Sequence, residues 1–437
     1  MSPTSMSLAR LILGTLRYHW STNLAVALAV MAAGAVLTGA LLVGDSMRGS
    51  LRHLLLDQLG QIDEVLVTDR FFREQLADDL SAQPAFQEFF SRAVPAVVVQ
   101  GTIEKPQAGG ALRAGGVGVI GSDERFWKLG TGQAPKPPGK GQIVLNEPLA
   151  TEIGARVGDE VLLRIGSASQ IPPDSALGRK TETIRNRRLK VSEIIPATGL
   201  GRFNLHPSQQ LPRDAFVAAS TLQDALEQPG KVNAIFVACR EGQAPTPAAH
   251  DRLVECLRPT LADYGIQIEP HKLGYVQCTS NRMLVDPPVV AEAEKAFAAD
   301  RPQELFTYLA NTIANEPVAG ERREIPYSTI TAIDFVAEPP IGPFKATDGT
   351  TIGKLADDEI VLNSWAAEDL GVQPGAEVEI TYFLPETTHG KVQEARAKFR
   401  LKAIVALEGL AADPDLTPQM PGVTDRLSIG DWDAPFP

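Results

Sequence analysis

The residues that could carry chemistry in this 437-residue chain are a glycine motif, six histidines, three cysteines and a pair of matched acids. Residues 116–121 read Gly-Val-Gly-Val-Ile-Gly and match G-x-G-x-x-G, the loop that holds a dinucleotide pyrophosphate. That use needs a strand before the motif, a helix opening at its third glycine, and an acid about twenty residues on. Here apolar residues alternate with glycine inside the motif, which is the period of a strand, so we expect a strand and no nucleotide. His19, His53, His206, His250, His271 and His389 show no metal-ligand spacing with one another or with cysteine. Neither G-x-S-x-G nor G-x-x-x-x-G-K-[ST] occurs. Glu152 and Asp369 are equivalent acids of a repeat, expected on water-facing helices rather than in acid–base work. No catalytic, cofactor-binding or metal site is therefore expected. Cys239, Cys256 and Cys278 permit one bridge plus one thiol, or three unrelated buried thiols.

Whatever the chain does must be positioned by a different feature, the uncharged run at 24–43. Twenty residues at about 1.5 Å rise each cover roughly the 30 Å hydrocarbon core of a bilayer. A cleaved signal peptide usually has a shorter apolar stretch, and a core helix would show a polar stripe. The run predicts a retained membrane helix at 23–44. Arg10 and Arg17 precede it and favour a cytoplasmic N-terminus, although Arg48 and Arg52 follow. The bulk of the chain is then extracytoplasmic, in the periplasm of a cell that has one, with the helix in the inner membrane. Residues 1–22, with Leu8, Leu11, Ile12 and Thr15 at helical spacing, predict an amphipathic segment on the inner lipid face. Met47, Leu51, Leu54, Leu55, Gln58 and Leu59 continue the period to Gly60, so 45–62 is expected as a stalk helix. Ala25, Ala29 and Ala33, and Ala35 with Gly39, form small-residue ridges of the kind that pack membrane helices together.

A net charge of −12 argues against a nucleic-acid partner. With 37 glycines and 33 prolines, turns should be frequent and elements short. Residues 143–163 align without a gap on 360–380, with nine identities in 21 positions. Each copy predicts a buried strand, a helix capped by Asn146 or Asn363, a left-handed stop at Gly154 or Gly371, and a tight turn at Gly158 or Gly375. Each turn feeds a second strand, and a basic-then-apolar strand follows at 188–191 and 400–405. The simplest assembly is an α+β fold in which the copies are two halves of one small β-barrel or sandwich. The halves would be 63–204 and 321–437, with an inserted α+β lobe at 205–320. Within that lobe a β-α-β unit is expected from 232–237, 247–262 and 266–268, followed by helix over 288–311 with a break at Pro302.

The order of amphipathic start, membrane helix, stalk, split barrel and inserted lobe resembles the MacB/FtsX-like permeases of ABC transporters, which include lipoprotein-releasing and macrolide-export types. The resemblance is carried by 42–46 with Arg48, by 118–127, by the two strand–helix–Gly-x-x-x-Gly blocks, and by 216–226, 232–235 and 326–330. It covers most of the chain, on motifs that are structural. It implies a permease, with a first membrane helix and a periplasmic core domain, that is not itself an enzyme. Its partners would be a cytoplasmic ABC ATPase subunit, a second permease copy in a homo- or heterodimer, and membrane lipid. ATP-driven movement of the membrane helices would move the outer domain, for export or for mechanotransmission to lipoproteins or the envelope. Permeases of that family have four or more membrane helices, and the ATPase docks on a loop among the later ones. With one apolar run, the sequence is expected to be a truncated product, a fragment or a split subunit, unable to use that loop as it stands. The alternatives are a membrane-anchored extracytoplasmic binding or scaffold module without transport, and a membrane-anchored enzyme such as a hydrolase.

Overall fold

The computed structural model describes residues 8–107, 110–130, 135–166, 184–205, 210–243, 245–281, 285–316, 322–384 and 393–417. His206 and His389 lie outside those residues. Helix α1 (Leu8–Tyr18) is followed at once by α2 (Trp20–Leu59), 40 residues without a break. Membrane run and stalk are thus one rod, with no boundary at 44. Among the described residues α2 is the one helix long and apolar enough to cross a membrane, and its apolar stretch is bare, Val36 being 74% exposed.

Beyond the rod the molecule is mixed α+β. It continues with β1 (Glu64–Arg73), α3 (Gln75–Ser81), α4 (Pro84–Phe89), β2 (Phe90–Gln107), β3 (Gly110–Ser122), α5 (Glu124–Trp127), β4 (Gln142–Asn146), α6 (Glu147–Glu152), β5 (Glu160–Gly166) and β6 (Ile184–Ile195). Next come β7 (Asp214–Ala218), α7 (Ala219–Leu226) and β8 (Lys231–Cys239). These strands make one sheet in the order β1-β8-β2-β3-β7-β4-β6-β5, and β2 also pairs with β5. The last six therefore close into a barrel. The first half of β2 extends away from it to pair with β8, along Phe90–Ala96.

After α8 (Pro247–Cys256), β9 (Ile266–Pro270), β10 (Val276–Ser280) and α9 (Pro287–Phe297), a second sheet begins. Its members are β11 (Phe306–Asn315), β12 (Glu324–Ala332), β13 (Glu359–Asn363), β14 (Glu377–Phe383) and β15 (Glu394–Val405), with helix α10 (Ser364–Leu370) after β13. The order is β12-β11-β14-β15-β13.

The two aligned segments make matching hydrogen bonds. Asn146 accepts from the Leu149 amide and Asn363 from the Ala366 amide, capping α6 and α10. Gly154 and Gly371 stand at φ of 60° and 66°, and Gly158 and Gly375 both at 96°. Strands β4 and β6 pair in parallel with an irregularity between Ile143 and Val144, and β13 and β15 do so with one between Ile360 and Val361. In both copies an antiparallel hairpin supplies a strand, β2 or β11, to the free edge of β5 or β14.

That last pairing corrects the expected assembly. The copies are not halves of one barrel but sit in separate sheets, because each fills its β5 or β14 edge from the hairpin that precedes it in its own sheet. The inserted lobe is correspondingly smaller than 205–320. Strands β7 and β8 belong to the first sheet and β11 to the second, leaving about 240–305 between them. The β-α-β unit does not form, since β9 pairs antiparallel with β10 and not with β8. Nor does helix run to 311. It gives way to a 3-10 turn at Ala298–Asp300, and β11, rich in β-branched and aromatic residues, extends from Phe306.

Candidate functional site

The C-terminal end of α2 is where the apolar rod meets the folded body, and its geometry is set residue by residue. Gly60 ends the helix at φ 60°, its amide bonded to the carbonyls of Leu56 and Asp57. A Cβ there would stand 2.5 Å from the Leu129 carbonyl oxygen. The next amide, of Gln61, donates to that same oxygen at 2.7 Å. Gln58 is 3% exposed and its Nε2 donates to the Asn204 carbonyl at 2.9 Å. Asp57 accepts from the Gly199 amide at 3.3 Å. Asp63, past the turn, donates its amide to Val237 and accepts from the Cys239 amide at 2.8 Å. Residues 57, 58, 61 and 63 are thus tied to β8 of the first sheet and to the loops after α5 and β6.

Beneath these bonds lies an aromatic core on the outer face of the first sheet. Leu59 and Ile62 pack with Phe126, Trp127, Leu129, Leu200, Phe203, Phe216 and Phe236. Phe126 meets Trp127 and Phe203 edge-on at 5.4 and 5.6 Å, and Phe203 meets Phe236 at 5.3 Å. Edge-to-face pairs add about 0.5–1.5 kcal/mol each beyond area burial. Asp123 presents α5 to this core by accepting from the Arg125 amide, while the Arg125 guanidinium bonds Asp123 at 2.6 Å and Asp78 at 2.7 Å.

The glycine motif serves the same barrel. It lies inside β3, as its alternation predicted. Gly116 takes φ 61°. A Cβ on Gly118 would be 2.9 Å from Asp214 Oδ1, and one on Gly121 would be 2.8 Å from Leu222. Asp214 is 2% exposed, and burial pushes its carboxyl up to about 8. Its amide donates to Asn146 Oδ1, and Asn146 Nδ2 reaches Asp214 and the carbonyls of Gly201 and Pro212. The cap of α6 therefore also fastens the 3-10 turn Gly199–Arg202, which holds Asp57. Glu152 is exposed and pairs with Arg213 at 3.0 Å, and Asp369 is exposed, the water-facing places expected of them. All three cysteines are free thiols. Cys239 and Cys256 are buried but Cys278 is exposed, which corrects the reading of three buried thiols. Burial, then the neighbouring Asp63, pushes Cys239 up to about 12.

A second cluster was invisible in the sequence because its members are far apart. His271 Nε2 stands 3.0 Å from Asp415 and 3.6 Å from Asp413, and the Tyr275 hydroxyl donates to Asp413 at 2.6 Å. Three such ligand atoms lie close enough to surround a divalent ion. The imidazole tautomer speaks otherwise: Nδ1 accepts from the Leu273 amide, which leaves the proton on Nε2, facing the carboxylates. The cluster is a hydrogen-bonded latch between the β9–β10 hairpin and the chain following β15. On its other side the lobe is held to β1 by Arg73, which grips Asp263 through Nε at 3.0 Å and Nη2 at 2.8 Å.

No protein-family model and no curated protein sequence matches the chain. Among solved structures it is similar to the periplasmic region of MacB from Actinobacillus actinomycetemcomitans, at 14% identity and a TM-score of 0.28, over 46% of this chain and 87% of that one. It is also similar to the extracellular domain of the noncanonic ABC-type transporter YknZ from Gram-positive bacteria, at 8% identity and a TM-score of 0.27, over 44% and 87%.

Proposed function

We propose that the chain is a permease subunit of an ABC transporter, or the N-terminal portion of one, and that it works by transmitting helix movement to an extracytoplasmic barrel. The observation that carries this reading is the unbroken α2, apolar and exposed at one end and bonded into the barrel at the other. A tether needs no such rigidity, since a flexible linker holds a domain near a membrane equally well. The sequence resemblance to MacB/FtsX-like permeases points the same way. In this reading the chain catalyses nothing itself. Its partners are a cytoplasmic ATPase, a second permease copy and lipid, and its two sheets lie outside the inner membrane.

The test uses the chain in its native membrane. Isolated in nanodiscs, it should bring an ABC ATPase with it. Glycines at Arg52 and His53, each costing about 1 kcal/mol of helix stability, should leave that association and the folded barrel unchanged. They should nevertheless abolish the ATP-dependent change in distance between spin labels on two barrels. Isolation without any ATPase would favour the anchored binding or scaffold module.

A further inference from the structure

Among the described residues no strand of the first sheet pairs with a strand of the second. The chain between them nevertheless makes a continuous path of bonds from one to the other. It starts at β1, where Arg73 gives its amide, Nε and Nη2 to Asp263 at 3.1, 3.0 and 2.8 Å. The Asp263 side chain is 3% exposed and also accepts from the Thr260 amide at 2.7 Å, which fixes the 3-10 turn Leu261–Tyr264. Gly265 follows at φ 71°, and β9 begins at the next residue. Beyond the β9–β10 hairpin, Arg70 of β1 pairs with Asp286. Both ends of the hairpin are thus fastened to β1.

Its turn is fastened to the second sheet. The His271 amide donates to the Tyr275 carbonyl at 2.8 Å, and the two rings stack at 4.3 Å. These side chains hold Asp415 and Asp413, and Gln277 Nε2 donates to the Asp415 carbonyl at 3.2 Å. One residue on, the Leu416 carbonyl accepts from Thr307 of β11 and Thr331 of β12, at 3.3 and 3.2 Å. A lone two-stranded hairpin is marginally stable in water, so β9–β10 owes its order to these ties. His271 follows Asp263 by only eight positions. We propose that residues 260–280 are a rigid strap that sets the second sheet against the first, so that movement of the first carries the second with it. Energetic coupling between distant parts runs through such chains of bonded groups. The strap's part in transmission rests on the proposed function; its rigidity does not.

The test is a spin-label distance measurement on the full chain in nanodiscs, with Cys278→Ser to remove the exposed thiol. Labels go on Glu88→Cys of α4 and Asp369→Cys of α10, both exposed positions. The parent should give one narrow distance peak. Arg70→Met with Arg73→Met cuts the strap at its base, and His271→Phe with Tyr275→Phe cuts it at its turn. Each pair should lose the narrow peak, and all four changes together should broaden it no further, because the ties act in series. Labels on Glu88→Cys and Arg188→Cys, both in the first body, should keep their distance throughout and so report that it is folded. Two glycines inserted after Gly265 leave every tie residue in place and should broaden the peak as well. A peak that stays narrow in either pair or in the insertion overturns the proposal, as does broadening that adds between the pairs. Broadening in the variants with no ATP response in the parent would support the strap and count against the transmission reading alone.

Discussion

Burial opposes the ionisation of Asp214, and that has a consequence for stability that can be signed. Its carboxyl is raised in the fold from an ordinary value of 3.8 to about 8, so between those values the native state holds a proton that the unfolded state has released. Its stabilising share is complete below the lower value and is lost as pH rises through the upper one. The slope is at most about 1.4 kcal/mol per pH unit. Asp214→Asn, which mimics the protonated group, should flatten that decline. Urea midpoints at pH 5, 7 and 9 should show the variant gaining on the parent as pH rises, and parallel curves would refute this account. The role was not legible in the sequence. Asp214 lies 68 residues from Asn146, and only the fold brings their side chains to 3.3 Å. Gly118 and Gly121 were legible as strand glycines by their period, but not why glycine is needed. Asp214 and Leu222 supply the reason from two other elements.

Elements recognisable from local chemistry came out as read. Caps, left-handed stops and tight turns depend on neighbours within about five residues, which is why both copies of the repeat could be outlined in advance. Which strand closes which edge depends on distant pairing, and there the outline failed for the lobe and for the joining of the copies. The two caps now separate by experiment. Asn363→Ala should cost about 1 kcal/mol, the usual loss of one cap. Asn146→Ala removes a cap and also strands the Gly201 and Pro212 carbonyls and the Asp214 amide, so about 3 kcal/mol is expected from denaturation midpoints. At the end of α2, Gly60→Ala meets both a positive φ and the Leu129 carbonyl, and should cost about 1–3 kcal/mol. Hydrogen exchange should quicken at Gln61, whose amide uses that carbonyl. Unchanged protection there would show that the turn is not what fastens the rod.

For the whole molecule, the lobe between the sheets is held both to the first sheet and to the chain that follows β15. Arg73 with Asp263 secures one side, and His271 and Tyr275 with Asp413 and Asp415 secure the other. Burial alone would raise the Asp263 carboxyl, but bonds from Arg73 and Thr260 outweigh it and hold it below the usual range. That grip is present above the ordinary carboxylate value and is released as pH falls below it. Arg73→Met, which leaves Asp263 without its cation, should cost about 1–3 kcal/mol. Limited proteolysis should then cut faster within 240–305 while the two sheets remain intact, and an unaltered cutting pattern would deny Arg73 that role. None of these ties has a signature in the sequence, since His271 and Asp415 are 144 positions apart.

At about 1.5 Å per residue, the 40 residues of α2 form a shaft about 60 Å long with no joint in it. A shaft keyed to its load at Asp57, Gln58 and Gly60 delivers torque as well as tilt. A rotation of its apolar end by one side-chain position, about 100°, would therefore swing the first barrel around the shaft axis rather than merely lift it. A neighbouring molecule would then meet a different face of that barrel after each such turn.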